Sequence, residues 1–398
     1  MKKLKNVVVV NDFDYVQGGA SKVAIQTANM LKENDPKLNV YFFSGDHNDS
    51  SILNKDVVNV CTNQGEALKD KNKLRGIING LYNFKAKRVF KKLLKTLNKD
   101  ETIIHVHGWT KCLSSSVFDI AFKMKYKVVL TMHDYFTACP NGGYFNYKKN
   151  EICHLKPLSW KCIKCNCDSR NYGFKVYRII RQLIQNRIVK LNDRLTDVIS
   201  ISDFSEKILR ETLNPNTKIH RVYNPIDLDP NPVKVDYRKN KYFLYVGRVS
   251  KEKGVDIFCK AISELGLKGI VVGDGPELEK LKKEYPKIEY TGWKDSDEVK
   301  EYMQGAKALI FPSRWYETMG LTVLEAEKHK IPVIVNSNTS ASEFVDNAKN
   351  GFLYNSYDEL IKCLVNINEL GSIEQNQNLY NFEKDYYLKQ LMQTYREN

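Results

Sequence analysis

The chain has 398 residues, 42% of them hydrophobic, and a formal net charge of +15. That length exceeds one typical core and predicts two domains, while no apolar run reaches the roughly 20 residues of a membrane span. The positive balance favours an anionic partner, a nucleotide diphosphate or an anionic lipid surface, and no nucleic-acid motif accompanies it. Nine cysteines without a secretory signal argue against a disulfide scaffold and for a reducing, cytoplasmic setting. The basic start and its four valines could pass for a signal peptide. Asn11, Asp12 and Asp14 cut the apolar run too short, so residues 7–10 read as the first strand.

A loop at 11–19 follows, then a helix whose inward face is Ala20, Val23, Ala24, Thr27 and Leu31. Gly18 and Gly19 stand where strand passes into helix. Glycine there serves a tight turn or lets backbone approach a phosphate. Residues 40–44 make the next strand. Residues 69–99 are strongly basic and interleaved with Leu74, Ile77, Ile78, Leu81, Phe84 and Phe90, which predicts one or two amphipathic helices. Such a segment is either a solvated domain surface or a dock for anionic membrane. Strands at 102–107 and 128–132 end in His105 and His107, and in His133 and Asp134. Histidines at the carboxyl ends of parallel strands point to a site.

Cys139, Cys153, Cys162, Cys165 and Cys167 cluster in the next segment. Cys162 and Cys165 have the C-x2-C spacing that lets two thiolates chelate one metal. Cys139 and Cys153 would complete a structural zinc site, with Cys167 or His154 as substitutes. Free thiols, a redox disulfide or an iron–sulfur cluster are the alternatives. Residues 174–191 predict a basic amphipathic helix, and 197–201 a strand followed by the capping run Ser202-Asp203-Phe204-Ser205. A new strand series starts at 242–246. It is followed by Gly247, Arg248 and, five residues later, Lys253-Gly254. Two cations in a turn after a strand could clamp a diphosphate, and no Asp-x-Asp pair sits beside them to hold a divalent ion. Strands at 269–272 and 289–292 follow, the second leading into Trp293, and a final helix is expected at 380–396. Alternating strands and helices predict a second doubly wound domain.

Residues 309–335 form a strand, a loop broken by Pro312 and Gly320, a helix from Leu321, and a second strand. The loop holds Glu317 and the helix holds Glu325. Backbone N–H groups of Gly320, Leu321 and Thr322 would offer an anion site at the helix start. The two glutamates enclose seven residues in a Glu-x-x-Gly-Leu-x-x-x-Glu-Ala context followed by Ile-Pro-Val. This resembles the signature of retaining glycosyltransferases of family 4. The Gly-Arg-x-x-x-x-Lys-Gly run at 247–254 matches that family residue for residue, and the cysteine run resembles a subset acting on capsule and surface polysaccharides.

The resemblance implies the α/β GT-B fold, two Rossmann-like doubly wound domains facing a cleft. The expected domains are residues 1–228, with the cysteine-rich insertion at about 139–167, and 229–376. Residues 377–398 would cross back onto the first domain. The implied reaction moves a sugar from a nucleotide-diphosphate sugar to a hydroxyl of a saccharide or lipid-linked saccharide, with retention and no catalytic cofactor. His133 and Glu317 are the implied catalytic pair. Gly18, Gly19, His107, Arg248, Lys253, Gly292, Trp293, Met319, Gly320, Leu321 and Glu325 are the implied donor-binding set. Met319 stands where the family often has an aromatic residue. The implied setting is the cytoplasmic face of the plasma membrane. A GT-B epimerase and a non-catalytic nucleotide-sugar-binding subunit of a polysaccharide assembly complex remain alternatives.

Overall fold

A computed structural model describes residues 4–226, 235–373 and 377–397. The expected domain junction at 228/229 lies outside the described residues. The first sheet is parallel throughout and runs β3-β2-β1-β4-β5-β8-β9. Its strands are β1 (Asn6–Phe13), β2 (Asn39–Asp46), β3 (Val58–Cys61), β4 (Thr102–Val106) and β5 (Lys127–Thr131). A two-stranded antiparallel hairpin, β6 (Phe145–Asn146) with β7 (Glu151–Ile152), interrupts the series. The sheet then closes with β8 (Asp197–Ser200) and β9 (Lys218–Arg221). The second sheet is also parallel, in the order β12-β11-β10-β13-β14-β15. It comprises β10 (Tyr242–Val246), β11 (Lys268–Val272), β12 (Glu289–Gly292), β13 (Ala306–Phe311), β14 (Val333–Asn336) and β15 (Gly351–Tyr354).

The four valines of β1 show why these runs become central strands. Val7 and Val9 enter one core layer, Val8 and Val10 the layer on the opposite face, and all four are fully buried. A strand packed by helices on both sides needs a continuous apolar run rather than an alternating one. The helix Gly19–Asn34 buries Val23, Ala24, Thr27 and Leu31 against this sheet. The basic stretch forms two helices, Lys73–Leu81 and Phe84–Leu94, each capped by an asparagine side chain. The basic helix expected at 174–191 is Tyr172–Leu183, continued by one π-helical turn, Ile184–Val189.

Strand order fixes where a ligand can sit. In each sheet the chain winds outward on one side, then returns to pair on the other side of its first strand. Those switch points lie between β1 and β4 and between β10 and β13. Side chains just beyond the carboxyl ends of such strands line a crevice. Gly18, His107, Arg248 and Glu317 all follow one of these four strands.

The last helix, Lys384–Glu397, lies against the first sheet's layer. Tyr387 shares a 2.6 Å hydrogen bond with Thr27, and Tyr395 one of 2.7 Å with Nδ1 of His105. Leu391 on the same face is fully buried. Leu391→Ala should cost about 2–5 kcal/mol through the cavity it leaves. Calorimetry should show this as a lower unfolding temperature for the transition that includes the N-terminal domain.

Candidate active site

The loop between β13 and the helix Leu321–Lys328 is fixed by one carboxylate. Oε2 of Glu317 accepts from Lys253 Nζ at 2.6 Å, Trp315 Nε1 at 2.8 Å and Ser313 Oγ at 3.2 Å. Glu317 is buried, and the Lys253 ammonium also lies 5.1 Å from the Trp315 ring centroid. The same loop is bolted to the 250–256 segment, because Arg314 makes a two-pronged ion pair with Asp256 at 2.7 and 2.8 Å. Gly254 is what permits this approach. Its φ is +68°, and a Cβ there would stand 2.0 Å from the carbonyl oxygen of Pro312. Arg248 is exposed at the end of β10, and its carbonyl accepts from the Tyr245 hydroxyl.

Three histidines from the first domain lie behind this loop. His107 Nδ1 is 2.9 Å from His133 Nε2, one donating and the other accepting, with the rings stacked at 5.1 Å. His105 bonds Tyr395 and the Thr131 hydroxyl. The link across domains is Thr318, whose hydroxyl donates to the His133 carbonyl at 2.9 Å. Burial lowers all three imidazoles: His105 to about 3, His133 to about 4, and His107 well below the usual value. Next to them, burial raises the Asp134 carboxyl to about 6.

A cavity of about 570 Å³ adjoins the start of the helix Leu321–Lys328. Gly19 and Lys22 line it from the first domain, Leu321, Glu325 and the turn Lys294–Asp297 from the second. A Cβ on Gly19 would lie 3.9 Å from Leu321, so the starts of two helices face each other here. Gly18 precedes the first of them with φ +157°, and Gly320 supplies no side-chain cap to the second.

The expected residues thus fall into three groups: Gly19, Leu321 and Glu325 at this cavity, Lys253 with Glu317, and His107 with His133. Other expected residues stand apart from these groups. Met319 turns its side chain into the core, and the adjoining Gly320 packs against Ala341. Gly292 has φ +74° and turns the chain so that Trp293 is 75% exposed; Lys294 to Asp297 form the cavity wall instead. Among the described residues no set of three or more His, Cys, Asp or Glu side chains is gathered to hold a metal. The four-cysteine site of Cys139, Cys153, Cys162 and Cys165 is therefore not assembled, and neither substitute, Cys167 or His154, completes it. Instead the fully buried Lys175 places its ammonium 3.2 Å from Cys167 and 3.5 Å from Cys162, and that positive charge opposes a metal ion. Trp315, Thr318 and Lys175 were not singled out from the sequence. An aromatic next to the loop glutamate was the one available signal.

Comparison with known proteins agrees with this architecture. The sequence model of Glycosyltransferase Family 4 matches residues 17–230, and that of Glycosyl transferases group 1 matches residues 231–380. A 41.2 kDa protein of the cps region of Klebsiella pneumoniae is 27% identical over 68% of this chain and 70% of its own length. The alpha-monoglucosyldiacylglycerol synthase of Acholeplasma laidlawii is 32% identical, over 37% of this chain and 41% of its own. Among solved structures, the lipopolysaccharide outer core galactosyltransferase WaaB superposes with TM-score 0.64 at 17% identity, covering 98% of this chain and 99% of its own. Anabaena HepE, solved with UDP and glucose, gives 0.65 at 16% identity, covering 99% and 100%. At those identities the likeness speaks for the fold, which is GT-B.

The histidine cluster carries a pH signature. In the unfolded chain these imidazoles protonate near pH 6.5, and in the fold they stay neutral to about pH 4 or below. Stability from this source is present above pH 6.5 and is lost as pH falls toward 4. Glu327, raised by burial to about 8, works with the opposite sign: its contribution is full at low pH and lost as pH rises through 8. Ring C–H resonances of His105, His107 and His133 should stay flat from pH 7.5 to 5, as NMR would show. In His105→Gln the loss of stability between pH 6.5 and 4 should be shallower.

Proposed function

The chain belongs to glycosyltransferase family 4, and from that premise we propose that it moves a sugar from a nucleotide-diphosphate sugar to a saccharide hydroxyl with retention. The observation that carries this reading is the joining of Lys253, Glu317 and, through Thr318, His133 at one point between the two switch-point crevices. The Glu325 carboxylate suits the paired ribose hydroxyls, since it can accept from both. Lys253 has three N–H donors and gives one to Glu317; with Arg248 and the uncapped helix start it supplies positive charge for the diphosphate. Glu317 would hold donor-sugar hydroxyls, and neutral His133 would orient the sugar or the departing phosphate.

The step balances without a protein nucleophile. The bond from the anomeric carbon to the phosphate oxygen breaks and the nucleoside diphosphate leaves. The acceptor oxygen bonds the same carbon on the same face, and its proton passes to the leaving phosphate. Fixed cations offset the charge that develops there.

Relatives named for the cps region, for a diacylglycerol glucosyl lipid and for lipopolysaccharide core support an acceptor in surface polysaccharide or glycolipid synthesis; we extend this to a lipid-linked acceptor met at the cytoplasmic membrane face. The surface supports the same reading. No helix among the described residues is long and apolar enough to cross a membrane. Yet Leu74, Ile77, Ile78 and Phe84 are exposed on the basic helices, and Val176, Ile180 and Leu183 on the helix Tyr172–Leu183. The two regions meet where Gly80 packs on the Tyr177 hydroxyl. Apolar side chains ringed by lysine and arginine suit an anionic headgroup layer, each cation adding about 1 kcal/mol near the surface.

Two measurements test this. A thermal-shift screen with UDP, GDP, ADP and their sugars should stabilise the protein with one base, by about 2.7 kcal/mol at about 100 Kd. With that donor, Glu317→Ala should lose about 10²–10³-fold in kcat while still melting cooperatively, and Glu325→Ala should raise donor KM. Unchanged turnover in Glu317→Ala would overturn the assignment. Separately, the protein should co-float with anionic liposomes at low salt. That binding should weaken at high salt and in Leu74→Glu/Phe84→Glu; indifference to anionic lipid would remove the membrane part.

A further inference from the structure

A larger cavity, of about 880 Å³, lies among the cysteine-rich insertion, the helix Asp203–Arg210 and two loops of the second domain. None of the roles proposed above uses it. Tyr316 is its aromatic hub. The ring centroid is 5.4 Å from Phe204, 6.0 Å from Tyr144, 6.4 Å from Tyr135 and 6.5 Å from His154, and none of these pairs is a face-to-face stack. Tyr144, His154, Phe204 and Tyr316 all belong to the wall.

The polar part of the wall is unfinished within the fold. The Thr137 hydroxyl is buried and has no hydrogen-bond partner, and the same holds for Oδ1 of Asn192. Asn192 spends its amide N–H groups on the carbonyls of Thr137 and Thr212. Buried polar atoms of this kind are costly unless something pairs with them. Lys207 on the helix and Glu211 just past its end bring charges of both signs to the same wall.

Together these features describe a ligand with an apolar face and a rim of neutral hydroxyls. A pyranose ring has both: its axial C–H groups rest on aromatic faces, and its hydroxyls both donate and accept. An acyl chain would leave Thr137 and Asn192 unpaired, and a strongly anionic group would meet Glu211. The position is apt as well. Tyr316 lies in the wall and directly precedes Glu317, while Thr318 bonds His133.

We propose that this cavity is the acceptor subsite and takes a neutral pyranose of a saccharide, stacked on Tyr316 and Phe204 with hydroxyls paired to Thr137 and Asn192. This rests on the glycosyl-transfer reading for the word acceptor, but not for the binding itself. The test is ligand-observed NMR on the full chain with methyl pyranosides of glucose, galactose, mannose and N-acetylglucosamine, and with octanoate as the acyl arm. At least one pyranoside should bind, and Phe204→Ala and Tyr316→Ala should weaken it at least tenfold. Thr137→Val keeps the shape and removes only the unpaired hydroxyl. It should melt no lower than the parent while binding the pyranoside at least threefold more weakly, a combination that a merely structural role would not produce. Nucleotide thermal shifts should be unchanged in Phe204→Ala and Thr137→Val. The proposal falls if no pyranoside binds, if octanoate alone binds, or if Phe204→Ala and Thr137→Val bind as the parent does. Pyranoside binding that these variants lose, with no nucleotide binding to the parent, would instead sink the transferase reading and leave a saccharide site.

Discussion

One carboxylate oxygen holds the centre of this molecule in place. Oε2 of Glu317 accepts from a lysine, an indole and a hydroxyl, and so fixes a loop whose neighbouring side chains each reach a different element. Arg314 goes to Asp256, Trp315 lies against Gly143 of the insertion, Tyr316 enters the aromatic cluster, and Thr318 reaches His133. A buried ion pair of this kind gains little net stability over an apolar pair, and losing one partner leaves a charge stranded. Its value here is positional. Without Lys253 the carboxylate would leave that pocket, and the contacts to two domains and the insertion would lose their common anchor.

Polar and aromatic contacts both join the domains near the cleft. Glu343 of the second domain accepts from the backbone N–H groups of Asp203 and Phe204 at the start of a helix in the first. A carboxylate there meets the positive end of the helix dipole. Thr318 to His133, the Gly19–Leu321 approach, and Tyr316 against Phe204, Tyr144 and Tyr135 also cross near the cleft. On the opposite side the terminal helix buries Tyr387, Leu391 and Tyr395. That contact combines buried apolar side chains with the Tyr387 and Tyr395 hydrogen bonds.

The sequence made the architecture legible because the information was local. Apolar runs bounded by glycine and proline mark parallel strands, and strand alternation with helices gives two doubly wound domains. The Glu317–Glu325 spacing exposed the central unit for the same reason: both residues flank one loop and one helix. Long-range facts were hidden. Spacing at Cys162 and Cys165 shows that two sulfurs can converge, but not that Lys175 would set its ammonium against Cys162 and Cys167 from the next helix. Met319 faces the core, and Trp293, after the positive φ of Gly292, faces solvent. Each of these depends on which neighbour the fold supplies, and no window of sequence contains that neighbour.

The reach of the backbone ties the two cavities to a single event. Tyr316 lines one and Leu321 the other, and five Cα–Cα steps separate them. Fully extended, that stretch could span about 17 Å, and a loop that turns into a helix spans less. That is the scale of a bound disaccharide and its diphosphate. A donor seated by Glu325 and a pyranose seated on Tyr316 would therefore bring their reacting atoms to the middle of this loop. Glu317 stands at the Tyr316 end of that stretch, with Lys253 on one side and His133 behind Thr318. The position that the carboxylate must hold for the fold is thus the position at which a transferred sugar would have to pass.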